Sequence, residues 1–279
     1  MKKISRRSFL AAAGLSVAAL ALTACGGSSA STASSVASSA ASSEAASTSA
    51  AAGELTTVEA GKLTMATNAA FPPYEMTTDA GEFEGIDIET AQAIADKLGL
   101  ELQIDDMDFD AALLSVQQGK ADIVMAGVTV TDERKAVMDF SDSYATGIQS
   151  IIVPEGSDIA SPDDRAGKKI GTQRGTTGYI YCSDDFGDDA VVAYDDGLTA
   201  VQALNNGQVD AVVIDNAPAQ EFIAANPGLK ILDTSYAEED YAIGMAKGSS
   251  LEDAVNAALK ELKADGTLQS IVDKYITAE

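Results

Sequence analysis

The chain has 279 residues and a formal net charge of −25, with 46% apolar residues and neither histidine nor tryptophan. This apolar fraction is that of an ordinary globular protein with a sizeable core. So large an acidic excess argues against nucleic acid as a partner, because phosphate binding depends on clustered cations. Without histidine the chain has no Ser-His-Asp arrangement, no His-ligated zinc and no histidine general base. We expect neither a cofactor nor a metal ion.

Residues 1–24 have the pattern of a signal peptide. A basic start, with cations at positions 2, 3, 6 and 7, precedes an apolar run that is shorter than a membrane span and ends in small residues. The run from Ser5 to Leu10 resembles a twin-arginine export motif, and ordinary Sec export is the open alternative. Leu22-Thr23-Ala24-Cys25 resembles the bacterial lipobox, so we expect cleavage before Cys25 and lipid attachment to its thiol.

Residues 26–53 consist mostly of serine and alanine, with Glu44 as their only charge. A stretch of this composition has too little apolar surface to offset the entropy lost on ordering it. We therefore interpret residues 25–53 as a lipidated cysteine followed by a disordered tether. Such an anchor would hold the folded part at the cell membrane, facing the outside of the cytoplasmic membrane.

Two segments farther along the chain share one pattern. Residues 113–125 and 200–213 each contain an amphipathic helix, a glycine that ends it, an aspartate and a short β-branched strand. A second pair, residues 61–66 and 167–172, begins in both cases with Gly-Lys and continues as a strand. Helices and strands alternating at this spacing favour α/β architecture with mainly parallel sheets. The repetition favours two lobes of the same design.

Two extended apolar segments, residues 144–154 and 239–246, are the candidate connections between these lobes. Each lies between regions in which helices and strands alternate. We therefore expect one lobe to comprise residues 54–147 plus 242–279 and the other to comprise residues 148–241.

Three arginines lie beyond the signal segment, so the placement of each is informative. Arg165 follows a Ser-Pro-Asp-Asp turn and is predicted to be a solvated loop charge. Arg134 follows an apolar strand, at the sheet edge where α/β proteins bind ligands, and its planar fork suits a carboxylate. A surface ion pair with a neighbouring acid is the alternative for Arg134. Arg174 precedes Gly-Thr-Thr-Gly, a loop that could open a helix and receive an anion at its N-terminus.

Four other side chains are candidates for a ligand site. Asp215 ends the strand of the second repeat, where it can pair with an ammonium group or cap the next helix, the commoner fate of such a residue. Phe71, Tyr74 and Phe109 lie in loops that follow strands or open helices. Taken singly, each aromatic ring is more often part of a core than a platform for a ligand.

Five segments of the chain resemble the extracellular solute-binding proteins of family 3, the polar amino-acid-binding proteins of ABC importers. The resemblance covers residues 58–276 and is most specific in ATNAAFPPY at 66–74, GIDI at 85–88, AGVTVTDER at 126–134 with FSD at 140–142, RGTTG at 174–178 and VDAVVID at 209–215. It implies the type 2 periplasmic binding protein fold, in which two α/β lobes joined by two strands close on one amino acid.

The same resemblance implies roles for single residues. Arg134 would bind the ligand α-carboxylate, assisted by Gly127, Thr129 and Thr177, and Asp215 would bind the α-ammonium group. The other expected ligand-site residues are Asn68, Phe71, Tyr74, Phe109, Ala126, Gln173 and Thr176, with Phe71 and Phe109 flanking the ligand side chain and Gln173 at the cleft edge. Many relatives have aspartate at position 68, so Asn68 favours a polar ligand such as glutamine, with a basic amino acid second.

The resemblance predicts a monomer that delivers a free amino acid to an ABC permease and catalyses no reaction. The alternative is a secreted enzyme of the cyclohexadienyl dehydratase type, which has a similar fold. Such an enzyme needs an acid or a base in the cleft. The candidates are Asn68, Glu75, Gln173 and Asp215, of which only Glu75 and Asp215 titrate.

Overall fold

The computed structural model describes residues 55–276. The predicted signal peptide, the lipidation site Cys25 and the tether through residue 53 lie outside the described residues. Within residues 55–276, no helix combines the length and the apolar character needed to cross a membrane.

Strands and helices alternate through the described part of the chain. The strands are β1 (Lys62–Thr67), β2 (Ala70–Phe71), β3 (Glu75–Thr77), β4 (Phe83–Glu84), β5 (Glu101–Asp106), β6 (Ile123–Val124), β7 (Met138–Phe140), β8 (Ala145–Pro154), β9 (Ile170–Gln173), β10 (Val191–Tyr194), β11 (Ala211–Asp215), β12 (Leu229–Ile231), β13 (Ala237–Tyr241) and β14 (Gly244–Ala246). The helices are α1 (Ile86–Leu98), α2 (Phe109–Gln117), α3 (Asp132–Val137), α4 (Thr177–Phe186), α5 (Gly197–Asn205), α6 (Asn216–Ala225), α7 (Glu252–Ala264) and α8 (Thr267–Tyr275). Two short 3-10 turns lie at Pro162–Arg165 and Asp188–Ala190.

Two mixed sheets share one topology. The first has the order β5-β1-β6-β14-β7 and the second β10-β9-β11-β8-β12, with β13 also paired to β8. In each sheet the first three strands are parallel, and the fourth runs antiparallel to its neighbours. The predicted α/β fold with two similar lobes is confirmed. Parallel pairing makes up only part of each sheet, because the strands contributed by the connections run the other way.

The aspartate of each repeat ties a helix-strand unit to the neighbouring strand. Asp122 accepts a hydrogen bond from the N–H of Thr64 at 2.8 Å, and Asp210 accepts one from the N–H of Lys169 at 2.7 Å. Each aspartate therefore accepts a hydrogen bond from a backbone N–H group of the neighbouring segment. This shared contact gives the repeated aspartate of the sequence pattern a structural role.

Strands β8 and β13 form the connection between the sheets. They pair antiparallel from Ala145 opposite Tyr241 to Gln149 opposite Ala237. The predicted second connecting segment, 239–246, extends beyond the connecting strand β13, because its last residues form β14 within the first sheet. The lobe boundaries at 147/148 and 241/242 stay a prediction.

The prediction that Arg165 is a solvated loop charge is wrong, because its side chain is fully buried. The guanidinium lies over the rings of Tyr236 and Phe186, with its central carbon 4.0 and 4.8 Å from the ring centroids. Its Nε donates to the carbonyl of Pro162 at 2.9 Å and its Nη1 to the sulfur of Cys182 at 3.3 Å. Two aromatic rings distant in sequence cover the charge, and the local turn gave no sign of them.

Candidate functional site

A cavity lies between residues of the two sheets and the loops that follow their strands. Eleven of the twelve predicted site residues line it: Asn68, Phe71, Phe109, Ala126, Gly127, Thr129, Arg134, Gln173, Thr176, Thr177 and Asp215. Tyr74 lies one layer behind, stacked on Phe71 with ring centroids 5.8 Å apart. The cavity is also lined by Glu75, Gln149, Val213 and Ile214.

Arg134 is the cation of this cavity. It lies in helix α3, where the N-cap Thr131 accepts a hydrogen bond from the Arg134 backbone N–H. Its guanidinium donates to the carbonyls of Thr129 at 2.8 Å and Gly175 at 3.1 Å and lies over the ring of Phe109. Within residues 55–276 it forms no ion pair, although only 8% of the residue is exposed, and burial lowers the pKa of Arg134. A buried guanidinium without a carboxylate is suited to an anionic ligand group.

Two backbone N–H groups beside Arg134 are also suited to an anion. Thr177 is the first residue of helix α4, and the first N–H groups of a helix have no partner inside it. Thr129 lies opposite Tyr241 in an isolated bridge whose hydrogen bonds come from the flanking residues, so its own N–H points away from that strand. Both threonines line the cavity.

Asp215 is the acid of the cavity. It ends β11 and takes the N-cap position of α6, yet its side chain caps no helix N–H. Instead it accepts hydrogen bonds from the hydroxyl of Tyr241 and from Nε2 of Gln149, the latter at 2.7 Å. Burial raises the pKa of Asp215 to about 7, and these two donors limit the rise. The commoner fate of such an aspartate, helix capping, is therefore not the one found here.

A side-chain hydrogen bond spans the cavity between Asn68 and Gln173. Nε2 of Gln173 donates to Oδ1 of Asn68 at 2.8 Å, and Nδ2 of Asn68 donates to the carbonyl of Met107 at 2.9 Å. The Asn68 amide thus has protein partners on both sides. This contact joins the loop after β1 to the end of β9.

Phe71 and Gly127 approach each other closely at the cavity wall. Gly127 has a left-handed backbone with φ of +55°, and a Cβ there would lie 2.8 Å from the Phe71 ring. Glycine is the residue that permits both the conformation and the approach. The aromatic wall of the cavity therefore depends on the Ala-Gly sequence that follows β6.

A second acid, Glu75, lines the cavity beside the buried Asp87 of α1. Burial raises the pKa of Asp87 to about 6, while the N–H of Gly127 at 3.0 Å and the hydroxyl of Tyr144 at 2.7 Å favour its ionised form. Burial, followed by the Asp87 charge, raises the pKa of Glu75 well above its usual range. Glu75 is therefore the neutral member of this carboxyl pair near pH 7.

Sequence reasoning assigned no binding role to Gln149, Val213 or Ile214, and it considered Glu75 only as a catalytic candidate. It also missed Glu239, a buried acid just behind the cavity. Gln149 and Glu239 lie on the two connecting strands, in segments recognised only as extended and apolar. A polar residue at a buried position of the apolar strand β8 is the signal that marks Gln149, whereas Glu239 is one of three consecutive acids in β13 and no local signal distinguishes it.

The chain is similar to known proteins in sequence and in fold. The family model of bacterial extracellular solute-binding proteins, family 3, matches residues 63–278. The L-cystine-binding protein TcyJ of Escherichia coli K12 is 32% identical over 226 residues, which cover 79% of this chain and 85% of that protein. The range that the family model matches includes every residue that lines the cavity.

Two solved structures are similar in sequence and in fold. The arginine-, lysine-, histidine-binding protein ArtJ of Geobacillus stearothermophilus is 34% identical with a TM-score of 0.75, covering 78% of this chain and 96% of that one. An ancestral arginine-binding protein bound to glutamine is 41% identical with a TM-score of 0.75, covering 78% and 99%. The fold is that of the type 2 periplasmic binding proteins. These similar proteins are named as binding proteins, which supports a binding protein rather than the dehydratase alternative.

Proposed function

Because this chain belongs to family 3 of the bacterial extracellular solute-binding proteins, we propose that it binds one polar amino acid in the cavity and delivers it to an ABC importer. The observation that carries the proposal is the pairing of an anion site with an acid site. Arg134, the N-terminus of α4 and the Thr129 N–H form the first, and Asp215 forms the second. An α-amino acid carries one carboxylate and one ammonium group, which match these two sites.

The cavity's acids also bear on the ligand side chain. Asp215 and the adjacent Glu239 are carboxyl groups in or beside the cavity, whereas Arg134 is its cation, and the neutral Glu75 adds no charge. A zwitterionic amino acid adds no net charge to the cavity, whereas a basic side chain adds one positive charge next to these carboxyl groups. We therefore place a basic amino acid such as arginine ahead of glutamine, the reverse of the order that Asn68 suggested.

The similar proteins support this pair of ligands. One is named for arginine, lysine and histidine, and another is an arginine-binding protein bound to glutamine. Both amino acids carry the α-carboxylate and the α-ammonium group that the two sites of the cavity match, whereas only arginine adds a positive charge. The charge of the side chain is therefore the property by which the acids of the cavity would discriminate between the two ligands.

The ligand would hold the two lobes together. Arg134 and Asn68, on the first lobe, already contact Gly175 and Gln173 on the second. A ligand contacts both lobes only in the closed form, so it binds the closed form more tightly than the open form. This difference in affinity is what shifts the protein toward closure. Small-angle scattering should show a smaller radius of gyration on ligand addition, and an unchanged radius at saturation contradicts closure.

We further propose that the mature protein begins at a lipidated Cys25 and is held, as a monomer, on the outside of the cytoplasmic membrane. The lipobox-like residues 22–25 and the Ser/Ala-rich stretch support this placement. Mass spectrometry of the purified protein should find acylated Cys25 as the first residue. Cys25→Ser should lose the acyl mass, and an unmodified N-terminus elsewhere in the wild type contradicts the proposal.

A thermal-shift screen of the detergent-purified full-length protein against the twenty amino acids tests the function. A ligand that binds only the folded state raises Tm by an amount that grows with its concentration over Kd. We expect arginine and glutamine among the strongest stabilisers, followed by calorimetry of each. If no amino acid raises Tm at millimolar concentration, the proposed function is wrong.

A further inference from the structure

Glu239, on the connecting strand β13, gathers donors from three elements. Its Oε2 accepts hydrogen bonds from the hydroxyl of Thr129, the hydroxyl of Thr177 and Nε2 of Gln149, each at 3.0 Å. Only 6% of Glu239 is exposed. The two threonines belong to the two halves of the cavity, and Gln149 lies on the other connecting strand. A single carboxylate oxygen therefore links both lobes and the hinge.

These contacts fix the direction of both threonine hydroxyls. A hydroxyl has one hydrogen to donate and two lone pairs to accept with, and a carboxylate oxygen can only accept. The hydrogens of Thr129 and Thr177 are therefore both directed at Glu239. Toward the cavity, each of these hydroxyls offers lone pairs.

The amide hydrogens of Gln149 are also used in hydrogen bonds within the protein. Its Nε2 has two hydrogens, of which one is donated to Asp215 at 2.7 Å and the other to Glu239 at 3.0 Å. The amide holds the two carboxylates in place and keeps no hydrogen for a ligand. Close to Asp215, the groups that remain for a ligand are acceptors.

A primary ammonium group has three hydrogens to donate. The acceptors gathered here are the carboxylate of Asp215 and the hydroxyls of Thr129 and Thr177. The α-carboxylate of the ligand would then depend on Arg134 and the backbone N–H groups, not on the threonine hydroxyls. This division gives each end of an amino acid a set of groups of the opposite kind.

We propose that Glu239 is a positioning residue that turns the hydroxyls of Thr129 and Thr177 into acceptors and thereby selects ligands with a free α-ammonium group. The inference rests on the proposed function of the cavity as an amino-acid site. Glu239 acts through the threonines and touches no ligand atom itself.

The test compares each amino acid with its deamino analogue in wild type and in Glu239→Leu, which removes the acceptor of both threonine hydroxyls. The probes are L-arginine with 5-guanidinopentanoic acid, and L-glutamine with glutaramic acid, and calorimetry gives Kd for each. Leucine has a similar size but no hydrogen-bond acceptor, so the hydrogens of both threonine hydroxyls are free to turn into the cavity. We expect the preference for the amino acid over its analogue to fall about tenfold or more, the scale of one hydrogen bond to a charged group.

A general loss of affinity without a change in this ratio overturns the inference, because a merely structural effect weakens both members of a pair alike. Glu239→Asp keeps the carboxylate and should keep most of the preference. If Glu239→Leu does not fold, Thr177→Val, which removes one acceptor, must lower the same ratio. Failure of both amino acids to bind wild type would instead overturn the proposed function.

Discussion

Arg134 donates a hydrogen bond across the cavity to the backbone carbonyl of Gly175, at 3.1 Å. The loop at Gly175 also approaches helix α2 closely, since a Cβ on Gly175 would lie 3.2 Å from the Cβ of Asp110. Carbonyl oxygens satisfy part of the guanidinium and leave its charge without a carboxylate. The strongest electrostatic attraction available to an incoming carboxylate is therefore centred on this residue.

Replacing Arg134 by alanine should weaken amino-acid binding by roughly 2 to 5 kcal/mol, because the ligand carboxylate would be buried without its partner. Calorimetry of the variant with arginine and with glutamine measures the loss. The loss should be similar for the two ligands, since both carry the same α-carboxylate.

Arg174→Ala is the matched control for this prediction. Arg174 is next to Gly175 in sequence, but its side chain is 53% exposed and pairs with the exposed Asp195 at 3.5 Å. Such surface pairs contribute little, so the affinity of this variant should stay within about twofold of wild type. Equal affinities for the two variants would remove Arg134 from the ligand site.

The fold was largely predictable because repeated local patterns determine it. The glycine and aspartate of each repeat recur at equivalent places in two sheets of equal topology. Arg165 shows the limit of such reasoning. Its burial depends on Tyr236 and Phe186, which lie 71 and 21 positions away. No local pattern around residue 165 carries that information.

Arg165→Ala should destabilise the protein by roughly 3 kcal/mol, since it removes a buried side chain from between two rings and leaves a cavity and unpaired acceptors. The free energy of unfolding in urea measures the change, with Arg174→Ala again as the exposed control. Ligand affinity of the folded variant should be close to that of wild type. A change below about 0.5 kcal/mol, typical of surface substitutions, would contradict the buried role.

Ligand affinity should fall as pH is lowered from 8 to 5. Burial raises the pKa of Asp215 to about 7, and a bound ammonium group requires the ionised carboxylate. Below pH 7, binding must first remove a proton from Asp215, so affinity should decrease by up to about tenfold per pH unit. Calorimetry at pH 5, 6, 7 and 8 tests this slope.

Asp215→Asn is the control for the pH dependence. It should bind weakly at every pH and lose the decrease in affinity between pH 7 and 5 that protonation of Asp215 causes. The same raised pKa has a consequence for stability, because its stabilising contribution is complete below about pH 4 and is lost as pH rises through about 7. The ligand-free variant should therefore gain Tm over wild type at pH 8, and no gain would show that Asp215 is not strained by its burial.

The residues of the site were predictable where they follow strands, and less so on the hinge. Arg134 and Asp215 come directly after strands that the apolar pattern reveals. Gln149 and Glu239 meet only because β8 and β13 pair in one particular register. A sequence without a known pairing does not place these two side chains together.

Asn68→Asp should shift preference toward arginine over glutamine by roughly 1 to 3 kcal/mol, the scale of a charged hydrogen bond. The aspartate would add a negative charge to the cavity and could still accept from Nε2 of Gln173, as Asn68 does at 2.8 Å. It would lose the donation to the Met107 carbonyl, which costs stability equally with either ligand. Asn68→Ser adds no charge and should leave the ranking of the two amino acids unchanged. Competition calorimetry gives the ratio of the two Kd values directly, and a ratio that is the same in wild type and Asn68→Asp would mean that residue 68 does not set selectivity.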